Sequence, residues 1–262
     1  MYAFTYERPA ATADAAKLVK AGGQALAGGQ TLLASMKQRL MQPEQLVDLG
    51  KIAELKGIKK DGNNIVIGAM VRHQEVENNA DVKKHIPALA ALASGIGDKQ
   101  VRAMGTMGGS VANNDPAACY PSAVLALGAT IHTNQRTIAA DKFFQGMYAT
   151  ALEAGELITA ISFPIPKRAA YAKFNQPASR FALTAVFVAK YADGVRVAVT
   201  GASNEGVFRW TEAEAALSAN FSADAIAGLT VDASNMINDL HGTAAYRANL
   251  VKVLTGRAVS AA

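Results

Sequence analysis

The chain has 262 residues, half of them hydrophobic and 18% charged, with a formal net charge of +5. That balance excludes a disordered chain, and no apolar run approaches the roughly 18 residues a membrane span needs. The single cysteine, Cys119, excludes an internal disulfide, a four-cysteine zinc site and an iron–sulfur cluster on this chain, and the four scattered histidines offer no i,i+4 pair to a metal.

The length admits one large domain or two to three small ones. The N-terminal "MYAFTYERPA" carries an acid, a base and a proline where a signal peptide needs a long apolar stretch, so a cytoplasmic location is expected. Residues 13–21, "ADAAKLVKA", have helical composition and stop at Gly22-Gly23, a C-cap signal. A short strand "QALAGG" follows, then a helix in "QTLLASMKQRL" with Thr31 as its N-cap, then a strand in "EQLVDLG". This alternation predicts a small α/β lobe over residues 1–55.

A second unit is expected over residues 56–168. "DGNN" is a turn before the strand "IVIGAM"; helices follow near "RHQEVENN" and "HIPALAALAS". Next comes the glycine-rich "GTMGGSVANNDP", read as a loop, then a helix at "PSAVLALG", a strand "ATIHT" and a strand in "GELITAISFPIP". In a third unit, residues 169–262, two β-rich runs flank "ADG" in "RFALTAVFVAKYADGVRVAVTGAS", which predicts an antiparallel hairpin. Helices are expected in "TEAEAAL", "SADAIAGL" and "AAYRANLVKVLTGRAV".

Two segments invite chemistry: "AGGQT" (Ala27–Thr31) and "GTMGGS" (Gly105–Ser110). Without bulky side chains, backbone N–H groups can approach an anion closely, and the two segments together could cradle a diphosphate. Either segment alone reads first as a plain turn or helix cap, and only the pair brings the phosphate reading level with that. Neither has the spacing of G-x-G-x-x-G or of a P-loop.

The stretches "AGGQTLLASMKQRL", "GDKQVRAMGTMGGSVANNDPAACYP", "GELITAISFP" and "YAKFNQPASRFALTAVFVAK" resemble, in the same order, the FAD-binding medium subunit of molybdenum hydroxylases, the family of the carbon monoxide dehydrogenase and xanthine dehydrogenase flavoproteins. The likeness continues into "YRANLVKVLTGRA". It implies an α+β chain: a vanillyl-alcohol-oxidase-type two-lobe FAD-binding fold plus a C-terminal domain of antiparallel sheet and helical bundle.

By the same resemblance, Ala27, Gly28, Gly29, Gln30, Thr31 and Leu32 would line the FAD diphosphate, with Gly105, Thr106, Gly108, Gly109 and Ser110 completing the cradle. Ile96 and Val101 would pack against the cofactor, and Ile158 would approach its ring system. Lys173 would stand beside the flavin, where a cation could favour the anionic reduced form or neutralise nearby phosphate, and Phe181 matches an aromatic placed against the isoalloxazine. Asp115 is a turn residue by default and a ribose-hydroxyl acceptor near the cofactor. Relatives often place a carboxylate shortly after this Asp-Pro; here the position is Cys119, so the contact is lost or moved to Asp115 or Asn114. "SRFAL" departs too, where other relatives carry an aspartate before the aromatic.

The function implied is electron transfer without a catalytic side chain or metal ligand on this chain. FAD would be bound here. The [2Fe–2S] clusters would lie on a small iron–sulfur subunit and the molybdenum cofactor on a large subunit, in a dimer of heterotrimers serving a small-molecule or quinone acceptor. A self-sufficient FAD-dependent reductase of the same fold class would need nicotinamide and substrate sites in one chain, and no acid–base pair stands out for it. A nucleic-acid-binding protein would suit the net charge, but the basic residues are spread and lack aromatic interleaving; a solvated basic surface or a face for an acidic partner accounts for them.

Overall fold

The computed structural model describes residues 1–262 and contains three sheets. The first is built from β1 (Thr5–Glu7), α1 (Thr12–Lys20), β2 (Gln24–Leu26), α2 (Leu32–Lys37) and β3 (Gln45–Asp48). Its strands run parallel in the order β1-β3-β2. The chain leaves α1 through Gly22 at φ +107°, a left-handed conformation that glycine adopts without a Cβ clash. Ala15 of α1 is buried with Val47, Leu49, Ile52 and Leu55, and Leu157 from much later in the chain completes this small core.

The second sheet takes β4 (Ile58–Asp61), β5 (Asn64–Gly68), β6 (Thr130–Thr133), β7 (Thr137–Ala139) and β8 (Ile158–Pro164) in the antiparallel order β4-β5-β8-β6-β7. Between β5 and β6 lie α3 (His73–Asn78), α4 (Ala80–His85), α5 (Pro87–Ser94), α6 (Lys99–Met104), α7 (Met107–Asn113) and α8 (Tyr120–Ala126); α9 (Ala140–Phe143) follows β7. Leu89 and Leu92 of α5, with Ala123 and Val124 of α8, fill a core against Ile65, Ile67, Ile131 and Ile161 of the sheet.

The third sheet is the antiparallel meander β9 (Arg168–Asn175), β10 (Ala182–Lys190), β11 (Val195–Ser203) and β12 (Gly206–Arg209). Both of its faces are covered. Phe187, Ala189 and Ala198 join the core of the second unit. Val186, Val188, Val197 and Val199 pack on the other side with Leu217 of α10 (Thr211–Ala219) and with Val251 and Leu254 of α11 (Ala244–Ala261). Burial on two faces explains why β10 reads as a continuous apolar run rather than an alternating one.

The α+β class and the hairpin about "ADG" match the reading of the sequence. Other elements differ. The glycine-rich segment is no loop: Met107–Asn113 is the helix α7, with Gly108 and Gly109 in its first turn. A glycine lowers intrinsic helix preference, and here tertiary contacts override it. Thr31 sits at the N-cap of α2, but its side chain makes no capping bond. In "SADAIAGL" only a short 3-10 turn forms, at Ala223–Ile226. No helix is long and apolar enough to cross a membrane.

Arg247 of α11 pins the third sheet to its helices. It is 3% exposed. Nη1 donates to the carbonyls of Leu183 (2.6 Å) and Gly201 (2.7 Å), and Nη2 donates to both Asp239 oxygens at 2.8 and 2.9 Å. Removing the guanidinium strands these acceptors. Arg247→Met is therefore expected to lower unfolding stability by about 3 kcal/mol in urea titrations, whereas the exposed Arg257→Met is expected to change it by less than about 0.5 kcal/mol.

Candidate functional site: a cleft between two glycine loops

The first loop leaves β2 at Ala27 and enters α2 at Leu32. Gly29 has φ +72°, which turns the chain sharply. Leu33 N and Ser35 N bond back to Gly29 O and Thr31 O, but no backbone N–H from Gly28 to Leu32 donates within the protein. Five consecutive backbone donors are thus left without a protein partner, the arrangement an anion could use.

The second loop is built differently. Gly105 N closes α6 by donating to Val101 O at 2.7 Å. Met107 N and Gly108 N donate to Val71 O (3.0 Å) and Ala69 O (2.8 Å), and Thr106 Oγ1 accepts from Gly109 N at 3.2 Å. These N–H groups are spent on the protein, contrary to a reading of both loops as equal donors. The glycines serve close approach instead. A Cβ on Gly108 would lie 2.5 Å from the Ala69 Cβ and 2.8 Å from its backbone. On Gly28 it would lie 2.3 Å from Met104 O and 2.7 Å from the Gly105 Cα. The loops touch backbone to backbone.

Both loops open onto one cleft of about 610 Å³, within the range of small-molecule sites. Nearly all residues singled out from the sequence border it: Ala27 to Leu32, Ile96, Val101, Gly105, Thr106, Gly108 to Ser110, Asp115, Ile158 and Lys173, with Phe181 and Cys119. Asn114 does not. It is 1% exposed, left-handed at φ 44°, and its Nδ2 donates to Gly146 O (2.7 Å) and Ala149 O (2.8 Å).

Three further segments contribute to the lining. Lys173 Nζ donates to Gly95 O at 2.8 Å, which draws β9 against the end of α5 beside Ile96. Phe181, half exposed, follows Arg180, which is left-handed at φ 60°. The segment from Asp115 to Cys119 is held by the third sheet: Gly201 N donates to Pro116 O at 2.7 Å, and the Thr200 hydroxyl lies 2.8 Å from Ala118 O. Asp115 is doubly used, accepting from Ala117 N (2.8 Å) and from the Tyr148 hydroxyl (3.3 Å). Cys119 is 5% exposed at the cleft wall.

Glu156 braces the wall that carries Leu157 and Ile158. Its side chain is buried and accepts from Arg136 Nε and Nη2 (both 2.9 Å), Thr133 Oγ1 (2.8 Å) and Glu153 N (2.9 Å). The Arg136 guanidinium, foremost among these partners, pulls the carboxyl pKa down to about 2.

Other lining residues were not singled out from the sequence: Val19 and Gln24 from the first unit, His73, Tyr148 and Leu157 from the second. Tyr148 carried one readable signal, its place after the Gly146 turn; its backbone is left-handed at φ 57°. His73 stood in an ordinary helical pattern. Lys173 and Arg180 are the only lysine or arginine on the lining, and neither belongs to a glycine loop.

Comparison with known proteins places this geometry. Residues 2–166 match the family described as the FAD binding domain in molybdopterin dehydrogenase. The chain is 35% identical to the nicotine 6-hydroxylase medium subunit of Paenarthrobacter nicotinovorans, over 98% of this chain and 96% of that one. It is 34% identical to the carbon monoxide dehydrogenase medium chain of Afipia carboxidovorans, over 99% and 96%. A chain of reconstituted CO dehydrogenase from Oligotropha carboxidovorans superposes with a TM-score of 0.90 at 32% identity, covering 99% of this chain and 97% of that one.

Two outcomes follow from the cleft. Gly28→Ala forces the loops apart and is expected to weaken FAD binding about 10- to 100-fold in fluorescence titrations. Gly228→Ala, where a Cβ meets nothing within 4 Å, is expected to leave it unchanged. For Glu156, a folded pKa below the unfolded one means its stabilisation is present above pH 4.5 and lost as pH falls toward 2. Urea titrations at pH 7 and pH 3 are expected to show a smaller acid loss in Glu156→Gln than in the wild type, from a lower starting stability.

Proposed function

Because this chain belongs to the family of FAD-binding medium subunits of molybdenum hydroxylases, we propose that its cleft holds FAD with the diphosphate against the unpaired N–H groups of Gly28 to Leu32. That run of donors is the observation that carries the reading. The residues fit the group: a dianionic diphosphate would meet five donors, and the absence of side chains at Gly28 and Gly108 lets the two loops pack closely enough to share one cleft.

The chain is an oxidoreductase subunit. FAD, when bound, exchanges electrons one or two at a time, which would let the subunit connect [2Fe–2S] clusters on a small partner chain, fed from the molybdenum cofactor of a large one, to a small-molecule or quinone acceptor. This protein's residues bind, orient and shield. Lys173, held at the Gly95 carbonyl, puts a cation at the end bordered by Ile96 and Phe181, where it favours negative charge on the ring. Ile96, Val101 and Ile158 supply apolar walls, and Asp115 offers a carboxylate to a hydroxyl. With one cysteine in the chain, and that one at the cleft wall, the clusters belong to a partner. We take the working units as two FAD-binding lobes, residues 1–55 and 56–168, and a C-terminal unit, 169–262, in a cytoplasmic dimer of heterotrimers.

The test is purification of the native complex with its visible spectrum, flavin content and metal analysis. One FAD per copy of this chain, with partners carrying iron and molybdenum, is the expected result. A lone colourless chain that takes up no added FAD would overturn the reading.

A further inference from the structure

We propose that His73 is a cofactor ligand: its neutral imidazole donates a hydrogen bond from Nε2 to a diphosphate oxygen of FAD at the seam where the two glycine loops meet. The inference rests on the FAD reading above and adds a side-chain donor to a cradle otherwise made of backbone.

The placement is fixed from three directions. His73 opens α3, and its backbone N donates to Gly105 O at 2.9 Å. The ring is 4% exposed yet borders the cleft. Nε2 lies so near Gly105 that a Cβ there would stand 2.6 Å from it. Gly105 is also the residue that Gly28 abuts. Imidazole, first loop and second loop therefore converge on one point, and neither loop contributes a lysine or arginine there.

The ring's other nitrogen shows which end is the donor. Nδ1 is buried with no hydrogen-bond partner, behind a ring packed on Tyr120 at 5.2 Å between centroids. A buried N–H without an acceptor is costlier than a bare lone pair, so the neutral ring keeps its proton on Nε2, toward the cleft. The groups around the ring act to keep it neutral. Burial, and then the Arg102 guanidinium of α6, lower its pKa to about 4. Arg102 is itself paired with Glu77 of α3 at 3.0 Å and bonded to Ile96 O at 3.1 Å, and it does not border the cleft. Tyr120, packed on the ring, has its hydroxyl pushed well above its ordinary range by burial and is uncharged at neutral pH. A histidine serving packing alone would have no reason to present a donor at the one place where an anion must sit.

The test uses the full chain, stripped of flavin and titrated with FAD and with riboflavin, which lacks phosphate. His73→Phe is expected to weaken FAD binding about 10- to 100-fold while leaving riboflavin binding unchanged. His73→Gln, which keeps an N–H, is expected to recover part of the loss. The wild-type ratio of FAD to riboflavin affinity should stay flat from pH 6 to 9. If the phenylalanine variant does not fold, as judged by circular dichroism, His73→Leu carries the same comparison. Equal FAD affinity in variant and wild type, or equal losses for FAD and riboflavin, would overturn the assignment. Failure of the wild type to bind FAD at all would instead remove the functional reading beneath it.

Discussion

Two runs of backbone meet in this protein more closely than any side chain permits. Gly28 lies against Met104 and Gly105, while Gly108 lies against Ala69. A Cβ at either glycine would sit inside backbone atoms that cannot move without dragging α6 or β5. Much of the architecture serves that contact. The parallel strands of the first unit deliver one loop, and α6 and α7 deliver the other. Leu157, from the start of β8, locks the small first core to the second unit. The third sheet, fixed by Arg247, holds Pro116 and Ala118 so that the exit from α7 closes the cleft.

The two loops divide the work. The first leaves its N–H groups without protein partners; the second spends those of Met107, Gly108 and Gly109 on Val71, Ala69 and Thr106. Oriented amides can hold an anion without a side-chain cation, and fixed dipoles need little reorganisation when charge arrives. The two cations on the lining, Lys173 and Arg180, lie outside both glycine loops, with Lys173 beside Ile96. In the proposed reading, such an arrangement would separate holding the cofactor from tuning its ring, and it needs no acid–base pair.

Much of this was legible in the residues, for identifiable reasons. The hairpin of β10 and β11 announced itself through "ADG" and its apolar flanks, and α1 through the glycine pair that stops it. The order of "AGGQT", "GTMGGS" and the lysine segment pointed to one cleft, and the fold does place all three on it. The helical state of Met107–Asn113 was not legible, because bonds from Met107 and Gly108 to a distant connector override the low helix preference of glycine. The unequal roles of the loops were hidden for the same reason: which N–H groups are spent depends on partners some forty residues away. His73 was missed because it reaches the cleft from an ordinary helical pattern, and Tyr148 offered only its place after the Gly146 turn. Cys119 lies on the cleft wall, and Asp115 is already engaged with Tyr148 and Ala117.

The central claim is that the unpaired amides of the first loop hold the cofactor by its diphosphate. A structure of this chain with FAD bound tests it directly. The account predicts both phosphates within hydrogen-bond distance of backbone N atoms between Gly28 and Leu32, seated over Gly105 and Gly108. A diphosphate bound elsewhere, or an FAD that leaves those five amides facing solvent, would contradict it.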